Sequence, residues 1–186
     1  MLCGRPRAAM REVETKVVLP DCALLEALRS RLARLGATHE GDVVEEDVYY
    51  QHPCRDFAET DEALRVRRAG GRCELTYKGP KEGGTVKARR EETVEVGDCK
   101  AIDAILEALG FRKVAVVRKK RSYYRMPGVV VSLDEVEGLG CFAEVEAREG
   151  GEATVLEALK LLGLDRYPST TKSYLELLLE KMGGEG

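Results

Sequence analysis

The sequence predicts an α+β fold, a closed eight-stranded antiparallel β-barrel with flanking helices. Polar and apolar residues alternate along about eight separate segments, and this alternation is the period of a strand with one apolar face. Short turns rich in glycine or proline join several consecutive segments, as in antiparallel hairpins. Two long amphipathic helical segments lie between the strands and need an apolar sheet surface to cover. Together these features favour a closed antiparallel sheet over a parallel α/β sheet.

The predicted strands begin with the alternating segment MREVETKVVL and recur along most of the chain. They cover residues 10–19, about 38–51, 64–68, 73–78, 85–96, 111–126, 129–136 and 141–148. Gly70-Gly71 and the sequence GPKEGG separate the third, fourth and fifth of them, and Pro127-Gly128 separates the sixth from the seventh. Such turns predict consecutive hairpins.

Four other segments have apolar residues at helical spacing. The first starts at Pro20-Asp21 and ends at Gly36, and the second starts at Asp98, a predicted N-cap, and ends at Gly110. Two more helices are predicted at about 152–162 and near 169–182. Because the first two are apolar on one side only, we expect them to cover the outside of the barrel.

Size and charge limit the classes of function. With 186 residues, 44% of them hydrophobic, the chain is long enough for one sizeable core, and we treat 1–186 as a single domain. Its 30 Lys and Arg nearly balance its 33 Asp and Glu, so the net charge of −3 argues against a general nucleic-acid binder. The positions of the charges are therefore more informative than their sum.

The sequence shows neither a membrane anchor nor a secretory signal. No apolar run approaches the roughly 20 residues that span a bilayer, and the N-terminus lacks the apolar middle region of a signal peptide. We expect a cytoplasmic protein that does not associate with membranes. Residues 1–9 carry no pattern, and because Met10 directly precedes the first strand, we expect them to be unstructured or a non-native extension.

Six cysteines are scattered along the chain, at positions 3, 22, 54, 73, 99 and 141. They form no CxxC pair and have no histidine at zinc-binding spacing. We therefore expect reduced thiols.

Charged side chains repeat at alternate positions in seven of the predicted strands. In the first strand, Glu12, Glu14 and Lys16 share one face, because side chains two residues apart point to the same side, roughly 7 Å from one another. In any single strand, an ordinary solvent-exposed face gives the same pattern. If helices cover the outside of a closed barrel, however, all these faces point inward. The lumen would then gather Lys16, Arg65, Arg67, Lys78, Lys87, Arg89, Lys119 and Arg121 with Glu12, Glu14, Glu91, Asp134, Glu144 and Glu146.

A lumen with so many charges predicts a charged ligand. Unpaired buried charges cost several kcal/mol each, so the space should be filled by water or occupied. A triphosphate carries about four negative charges and many acceptor oxygens, which suits a ring of Arg and Lys donors. The carboxylates suit a hard divalent cation such as Mg²⁺ or Mn²⁺, which takes oxygen ligands and bridges carboxylate to phosphate.

The motif Glu12-Val13-Glu14-Thr15-Lys16 resembles the ExExK signature of the CYTH, or triphosphate tunnel, superfamily. Further segments occur in the order expected for that family and span nearly the whole chain. They are DVYY at 47–50, HPCRDFAETDEALRVR from 52, TYKGP at 76, Lys119-x-Arg121, LDEVEGLG at 133, FAEVE at 142 and SYLELL at 173–178. HPCRDF and TYKGP are most similar to the class IV adenylyl cyclase branch.

This resemblance implies an eight-stranded antiparallel tunnel and assigns roles to the charged residues. The residues implied to bind the triphosphate are Lys16, Arg65, Arg67, Lys78, Lys87, Arg89, Lys119 and Arg121. The pair Arg89-Arg90 leaves open which of the two arginines faces the lumen, because a shift of the strand by one residue would exchange them. The implied ligands of Mg²⁺ or Mn²⁺ are Glu12, Glu14, Asp134, Glu144 and Glu146, with Glu14 and Glu146 foremost. The residues implied in catalysis are Glu12, Glu14, Lys16, Lys78 and Lys119. Glu91 is expected instead to pair with a basic neighbour and hold it in place.

Three functions follow from this interpretation. The first is an adenylyl cyclase that converts ATP to cyclic AMP and pyrophosphate, and the second is a triphosphatase that hydrolyses inorganic triphosphate or an organic one such as thiamine triphosphate. The third is a non-enzymatic module that binds a nucleotide or polyphosphate. The sequence is less consistent with such a module, because the module would not need the carboxylates that this chain retains. The loop 52–57 either recognises the base, with Phe57 stacking, or is a plain turn. Leucines of the last helix, among them Leu175, Leu178 and Leu179, either support a homodimer or pack within the chain.

Overall fold

The computed structural model describes residues 10–82, 87–149 and 151–184. The predicted extension at 1–9 lies outside these residues. The described strands are β1 (Met10–Leu19), β2 (Thr38–Gln51), β3 (Ala63–Ala69), β4 (Arg72–Glu82), β5 (Lys87–Val96), β6 (Arg112–Met126), β7 (Val129–Val136), β8 (Gly140–Ala147) and β9 (Ser169–Thr170). The helices are α1 (Leu24–Arg34), α2 (Cys99–Ala108), α3 (Gly151–Leu162) and α4 (Tyr174–Gly184). None of the described helices has the length and apolar content that crossing a bilayer requires.

The nine strands form one antiparallel sheet in the order β5-β4-β3-β2-β6-β7-β8-β1-β9. β5, at one end of this order, also pairs with the first half of β1, from Met10 opposite Glu91 to Glu14 opposite Lys87. The second half of β1 pairs with β8 on one side and with the short β9 on the other. The predicted α+β class and antiparallel sheet are confirmed.

The start of the last helix differs from the prediction. Residues 169–170 form β9 and pair with Lys16 and Val17, whereas α4 begins only at Tyr174. Ser173 and Glu176 explain this boundary, because the Ser173 backbone N–H donates to Glu176 Oε2 (2.8 Å) and the Glu176 N–H donates to Ser173 Oγ (3.2 Å). This reciprocal arrangement is a capping box, which fixes where a helix starts.

Helices α1, α2 and α3 cover one face of the sheet, as predicted for amphipathic helices. Leu32 of α1 and Val155 of α3 pack in one core with Val17, Val131 and Val145 of the strands. Leu106 of α2 packs in a second core with β2 and β3. The apolar members of each alternating strand thus lie beneath helices, and the charged members point to the opposite, inner face.

Helix α4 packs against the inner face instead. Tyr174 contacts Tyr49, Val117 and Phe142, which share a strand face with the charged residues. Leu175 and Leu178 pack against the same cluster. Two of the leucines considered for dimerisation therefore pack within the chain, whereas Leu179 is 40% exposed.

The prediction of reduced cysteines is wrong for four of the six. Cys22 and Cys141 form one disulfide across 119 residues, and Cys73 and Cys99 form another across 26 residues. The fold brings these distant pairs to Cα separations of 5.2 and 5.6 Å, which suit a disulfide. The register explains the first pair, since Leu19 at the end of β1 lies opposite Cys141. Cys54 is free and exposed.

Candidate functional site

The charged face of the sheet, which we call the inner face, lines a cavity of about 190 Å³. Ten of the residues predicted for the site line it, because alternate positions of their strands point to the same side. They are Glu14, Lys16, Arg65, Arg67, Lys78, Arg89, Lys119, Arg121, Glu144 and Glu146. The backbones of Glu12 and Lys87 lie in the β1–β5 ladder next to this set, but their side chains fall outside the described part of the structure.

Arg121 and Asp134 form a buried ion pair behind the cavity wall. Arg121 Nε donates to Asp134 Oδ1 (2.6 Å), and the Tyr174 hydroxyl donates to Asp134 Oδ2 (2.6 Å). Asp134 is fully buried and opposes Arg121 directly in the β6–β7 register. In this structure the carboxylate of Asp134, predicted as a metal ligand, orients the guanidinium of Arg121.

Glu144 links this pair to β1. It accepts a contact from Arg121 and forms an ion pair with Lys16 Nζ at 2.9 Å. Lys16 also donates to the Lys172 carbonyl (3.1 Å), and its ammonium lies 4.2 Å from the centroid of the Tyr174 ring. Residues of β8, of the segment before α4 and of α4 therefore hold this lysine of β1 in place.

A second ionic cluster contains two carboxylates that the sequence prediction missed, Glu45 and Asp47 of β2. Arg67 binds Asp47 through Nε (2.6 Å) and Nη2 (2.8 Å). Lys119 Nζ lies 3.0 Å from Asp47 Oδ2 and 2.9 Å from Glu45 Oε2. Both carboxylates could have been found from the alternation of Glu45, Asp47 and Tyr49, which places all three on the charged face.

The basic residues keep these buried carboxylates ionised. Burial alone raises the pKa of Glu45, but the nearby charges of Lys119 and Arg67 outweigh it and lower the pKa to about 2. Burial also raises the pKa of Asp47, but the nearby positive charges, chiefly that of Arg65, outweigh this effect. The pKa of Asp47 therefore lies well below its usual range. The pKa of Lys119 is lowered by burial and by repulsion from Arg121 and Arg67.

The surroundings of Arg89 and Arg90 show which of the two side chains points to the inner face. Arg89 is buried and donates to the carbonyls of Gly79 (2.8 Å) and Asp61 (3.1 Å). Arg90 is exposed and pairs with Glu92. As predicted, Glu91 contacts a basic neighbour, because it forms an ion pair with Lys78.

The cavity as a whole suits a polyanion. Among the residues whose side chains are described, eight cationic side chains and five carboxylates line it, so positive charge is in excess in this set. The cations are Lys16, Arg65, Arg67, Lys78, Arg89, Lys119, Arg121 and Arg148, and the carboxylates are Glu14, Asp47, Glu91, Glu144 and Glu146. The walls between them carry the hydroxyl groups of Tyr49, Tyr123, Ser132, Ser173 and Tyr174.

Glu14 and Glu146 are the carboxylates best placed to share a cation. They lie opposite each other in the β1–β8 register, and both line the cavity. Their oxygens are the donor type that Mg²⁺ and Mn²⁺ prefer. Within residues 10–82, 87–149 and 151–184, no three His, Cys, Asp or Glu side chains are grouped so as to hold a metal on their own.

The family model for the CYTH domain matches residues 10–174 of the chain, from the first residue of β1 to the first residue of α4. The chain belongs to the CYTH family. The ExExK motif at residues 12–16 thus stands in the strand that pairs with both β5 and β8.

Individual CYTH relatives match over nearly their full length. The chain is 37% identical to "Putative adenylate cyclase MJ0240" of Methanocaldococcus jannaschii, over 90% of this chain and 98% of that protein. It is 31% identical to "Adenylate cyclase CyaB" of Aeromonas hydrophila, over 89% of this chain and 87% of that protein. The solved structure of the PH1819 protein from Pyrococcus horikoshii OT3 superposes with a TM-score of 0.77 at 40% identity, over 91% of this chain and 99% of that one.

The loop considered for base recognition is a packed part of the CYTH fold. Phe57 is 6% exposed, and the His52 ring lies against Phe57 and Phe111 at centroid distances of 5.8 and 5.2 Å. Arg55 pairs with Glu62 (3.1 Å), and Asp56 accepts from the Ala58 backbone N–H (2.8 Å). None of the residues at 52–57 is among those lining the cavity. In this conformation the loop lies outside the cavity lining, and the Phe57 ring is buried rather than free to stack on a base.

Proposed function

We propose that this CYTH protein is a metal-dependent adenylyl cyclase that binds the triphosphate of ATP in the cavity and releases cyclic AMP and pyrophosphate. The observation that carries the proposal is the excess of cationic side chains on the inner face, fixed by buried carboxylates beside the facing pair Glu14 and Glu146. The names of the two relatives, which both include adenylate cyclase, support the choice of reaction.

The proposal includes a tunnel formed by the eight long strands. The additional pairing of β5 with β1 supports closure of the sheet, because it joins the strand at one end of the order to the strand next to the other end. Closure would place the charged faces around one lumen and the apolar faces beneath α1, α2 and α3.

The basic residues would bind and orient the phosphate chain. Arg65 and Arg67 come from β3, and Lys119 and Arg121 come from β6. The carboxylates of Asp47, Asp134 and Glu144 hold their charged groups in place before substrate arrives. Donors that are already fixed stabilise developing negative charge without reorganising during the reaction. This is the role expected of these residues as negative charge develops on the leaving pyrophosphate.

Glu14 and Glu146, with Glu12, would hold Mg²⁺ or Mn²⁺. When bound, the cation supplies charge neutralisation at the phosphate oxygens. In the proposed reaction, the ribose 3′-oxygen attacks the α-phosphorus in line and forms the cyclic ester bond. The bond from the α-phosphorus to the bridging oxygen breaks, pyrophosphate leaves, and a carboxylate of the cavity accepts the hydroxyl proton.

A tunnel triphosphatase is the second candidate, and the packing of the 52–57 loop favours it. Since Phe57 is buried and the loop lies outside the cavity lining, this loop offers no ring on which a base could stack beside the phosphate-binding residues. The same residues could then hold inorganic triphosphate or an organic one such as thiamine triphosphate while water attacks a phosphorus atom.

Product analysis distinguishes the two reactions. The purified protein is incubated separately with ATP and with inorganic triphosphate, in Mg²⁺ or Mn²⁺, and the products are resolved by chromatography. Cyclic AMP with pyrophosphate is the expected result. Orthophosphate without a cyclic nucleotide would replace the cyclase by the triphosphatase, and absence of turnover of both substrates would overturn the enzymatic proposal.

A further inference from the structure

The inner face of the sheet carries a second hollow beyond the cavity. This far hollow has a volume of about 450 Å³ and is lined by residues of β2, β3, β4 and β6 and of the turn between β3 and β4. Arg67 and Tyr123 line both spaces. The cavity and the far hollow are therefore neighbours, with the side chains of Arg67 and Tyr123 between them.

The layer between the two spaces consists of Glu45, Arg67 and Tyr123, which we call the septum. The Tyr123 hydroxyl donates to Glu45 Oε1 (2.6 Å), and Arg67 Nη2 lies 3.1 Å from Glu45 Oε2. Arg67 and Lys119 each form ion pairs with both Glu45 and Asp47. Within the described part of the structure, Glu45 Oε2 takes part in these ion pairs without accepting a hydrogen bond. Glu45 is 2% exposed. The septum is thus braced by buried ionic contacts.

The excess of positive charge does not continue across the septum. Two arginines, Arg67 and Arg72, and four carboxylates, Glu40, Asp42, Glu45 and Glu74, line the far hollow. Three of these carboxylates already have cationic partners, since Glu40 contacts Arg125, Asp42 lies 3.9 Å from Arg29 and Glu45 lies 3.1 Å from Arg67. A phosphate chain that extended past Tyr123 would therefore lose the excess of cations that the cavity provides.

The cavity also has a deep side and an exposed side. The side chains of Lys119 and Asp47, beside the septum, are 2% and 1% exposed. Those of Arg148 and Glu146 are 51% and 25% exposed. A substrate with a bulky nucleoside fits only if the nucleoside stays near Arg148 and Glu146.

We infer that the septum is the end wall of the triphosphate site, which receives the terminal phosphate and excludes chains with a further phosphate. The inference rests on the proposed function. It gives the substrate a direction, since the terminal phosphate would lie at Arg67 and Lys119 and the nucleoside would lie toward Glu14 and Glu146. The proposed metal ligands would then be near the α-phosphate, where a cyclase acts.

The length of the bound phosphate chain tests the inference. Binding of ATP and of adenosine 5′-tetraphosphate, and of tripolyphosphate and tetrapolyphosphate, is measured by calorimetry in EDTA, where metal-dependent turnover does not occur. We expect the wild type to bind each longer ligand at least about tenfold more weakly than its shorter counterpart. Tyr123→Ala should bring each ratio to within about threefold by opening the wall toward the far hollow.

Two control variants separate opening of the wall from a general loss of packing. Tyr123→Phe keeps the ring and should keep the wild-type ratio. Tyr124→Ala removes a neighbouring tyrosine of β6 that packs in the outer core, so it should lower stability without changing the ratio.

Each outcome has a definite meaning. Equal affinity of the wild type for the longer and shorter ligands would overturn the end wall, as would an unchanged ratio in folded Tyr123→Ala. If Tyr123→Ala does not fold, the wild-type ratio alone decides. Failure of the wild type to bind ATP and tripolyphosphate at all would instead overturn the proposed triphosphate site.

Discussion

Glu14 of β1 lies directly opposite Glu146 of β8, and the two carboxylates share one wall of the cavity. Glu146 also pairs with Arg148 at 3.2 Å, and a divalent cation between the two glutamates would take oxygen ligands from both. This arrangement connects the register of two strands that are far apart in sequence to the proposed metal dependence.

Mg²⁺ or Mn²⁺ should raise the melting temperature of the wild type, because a ligand that binds the folded state stabilises it. The double variant Glu14→Gln/Glu146→Gln should lose this increase, and its metal-dependent turnover should fall by about 100-fold or more. Glu95→Gln is the matched control, since Glu95 also lies opposite a glutamate, Glu74, but is exposed and outside the cavity. An equal metal-induced shift in the double variant would contradict this assignment.

Lys119 and Lys120 are neighbours with opposite orientations, which makes them a matched pair. The Lys119 side chain is 2% exposed and lines the cavity, whereas that of Lys120 is 72% exposed. Lys119→Ala should weaken binding of tripolyphosphate by about tenfold or more, because a charge-assisted hydrogen bond is lost, and Lys120→Ala should leave it unchanged. Calorimetry measures both. Equal effects of the two substitutions would show that binding depends on surface charge rather than on the cavity.

Asp134 should contribute to stability through its buried contacts. Asp134→Asn leaves Arg121 with only part of its counter-charge and should lower the free energy of unfolding by about 3 kcal/mol. Tyr174→Phe removes one hydrogen bond to the same carboxylate and should cost about 1 kcal/mol. Glu135→Gln alters the next, exposed residue and should change little. Urea unfolding gives the three values, and a stability of Asp134→Asn equal to that of the wild type would contradict the role of the pair.

Acid should destabilise the protein through Glu45. Its pKa is about 2 in the folded state and near 4.5 otherwise, so the folded state binds this proton less readily than the unfolded chain. The resulting stabilisation is present above about pH 4.5 and is lost as the pH falls toward 2, and its upper limit is about 3 kcal/mol. Asp47 and Glu144, whose pKa values are also lowered, add to the effect in the same direction.

Unfolding free energies measured between pH 6 and 2.5 test this linkage. Glu45→Gln should be less stable than the wild type at pH 6, and its stability should depend less steeply on pH below 4.5. Parallel pH profiles for the two proteins would show that Glu45 does not contribute.

The two disulfides should stabilise the fold by restricting the unfolded chain. Loop closure predicts about 3 to 5 kcal/mol for each, with the larger value for Cys22–Cys141 because it closes the longer loop. Cys22→Ser and Cys73→Ser should therefore lower the melting temperature under non-reducing conditions, and Cys54→Ser should not. A reducing agent should abolish the difference between Cys22→Ser and Cys54→Ser, since both variants then lack both disulfides. Unchanged melting temperatures in both disulfide variants would contradict the pairing.

Local patterns were enough to predict most elements and the faces of their side chains. Alternation placed Lys16, Arg65 and Lys119 on the inner face, and the N-cap at Asp98 accepts hydrogen bonds from the N–H groups of Lys100 and Ala101, as expected. These features depend on residues two to four positions apart, so the sequence alone carries them.

Only the tertiary structure decided which charges meet. The pairing of Arg121 with Asp134 depends on the register of β6 and β7, and the contact of Lys119 with the unpredicted Glu45 and Asp47 depends on the register of β2 and β6. The disulfides depend on how segments outside a common strand pair meet in the fold. Alternation tells which side of a strand a residue faces, but it does not tell which residue lies opposite, because any shift by two residues preserves the face and changes every partner. The sequence by itself therefore determined a charged inner surface, and the register determined which charges of that surface meet.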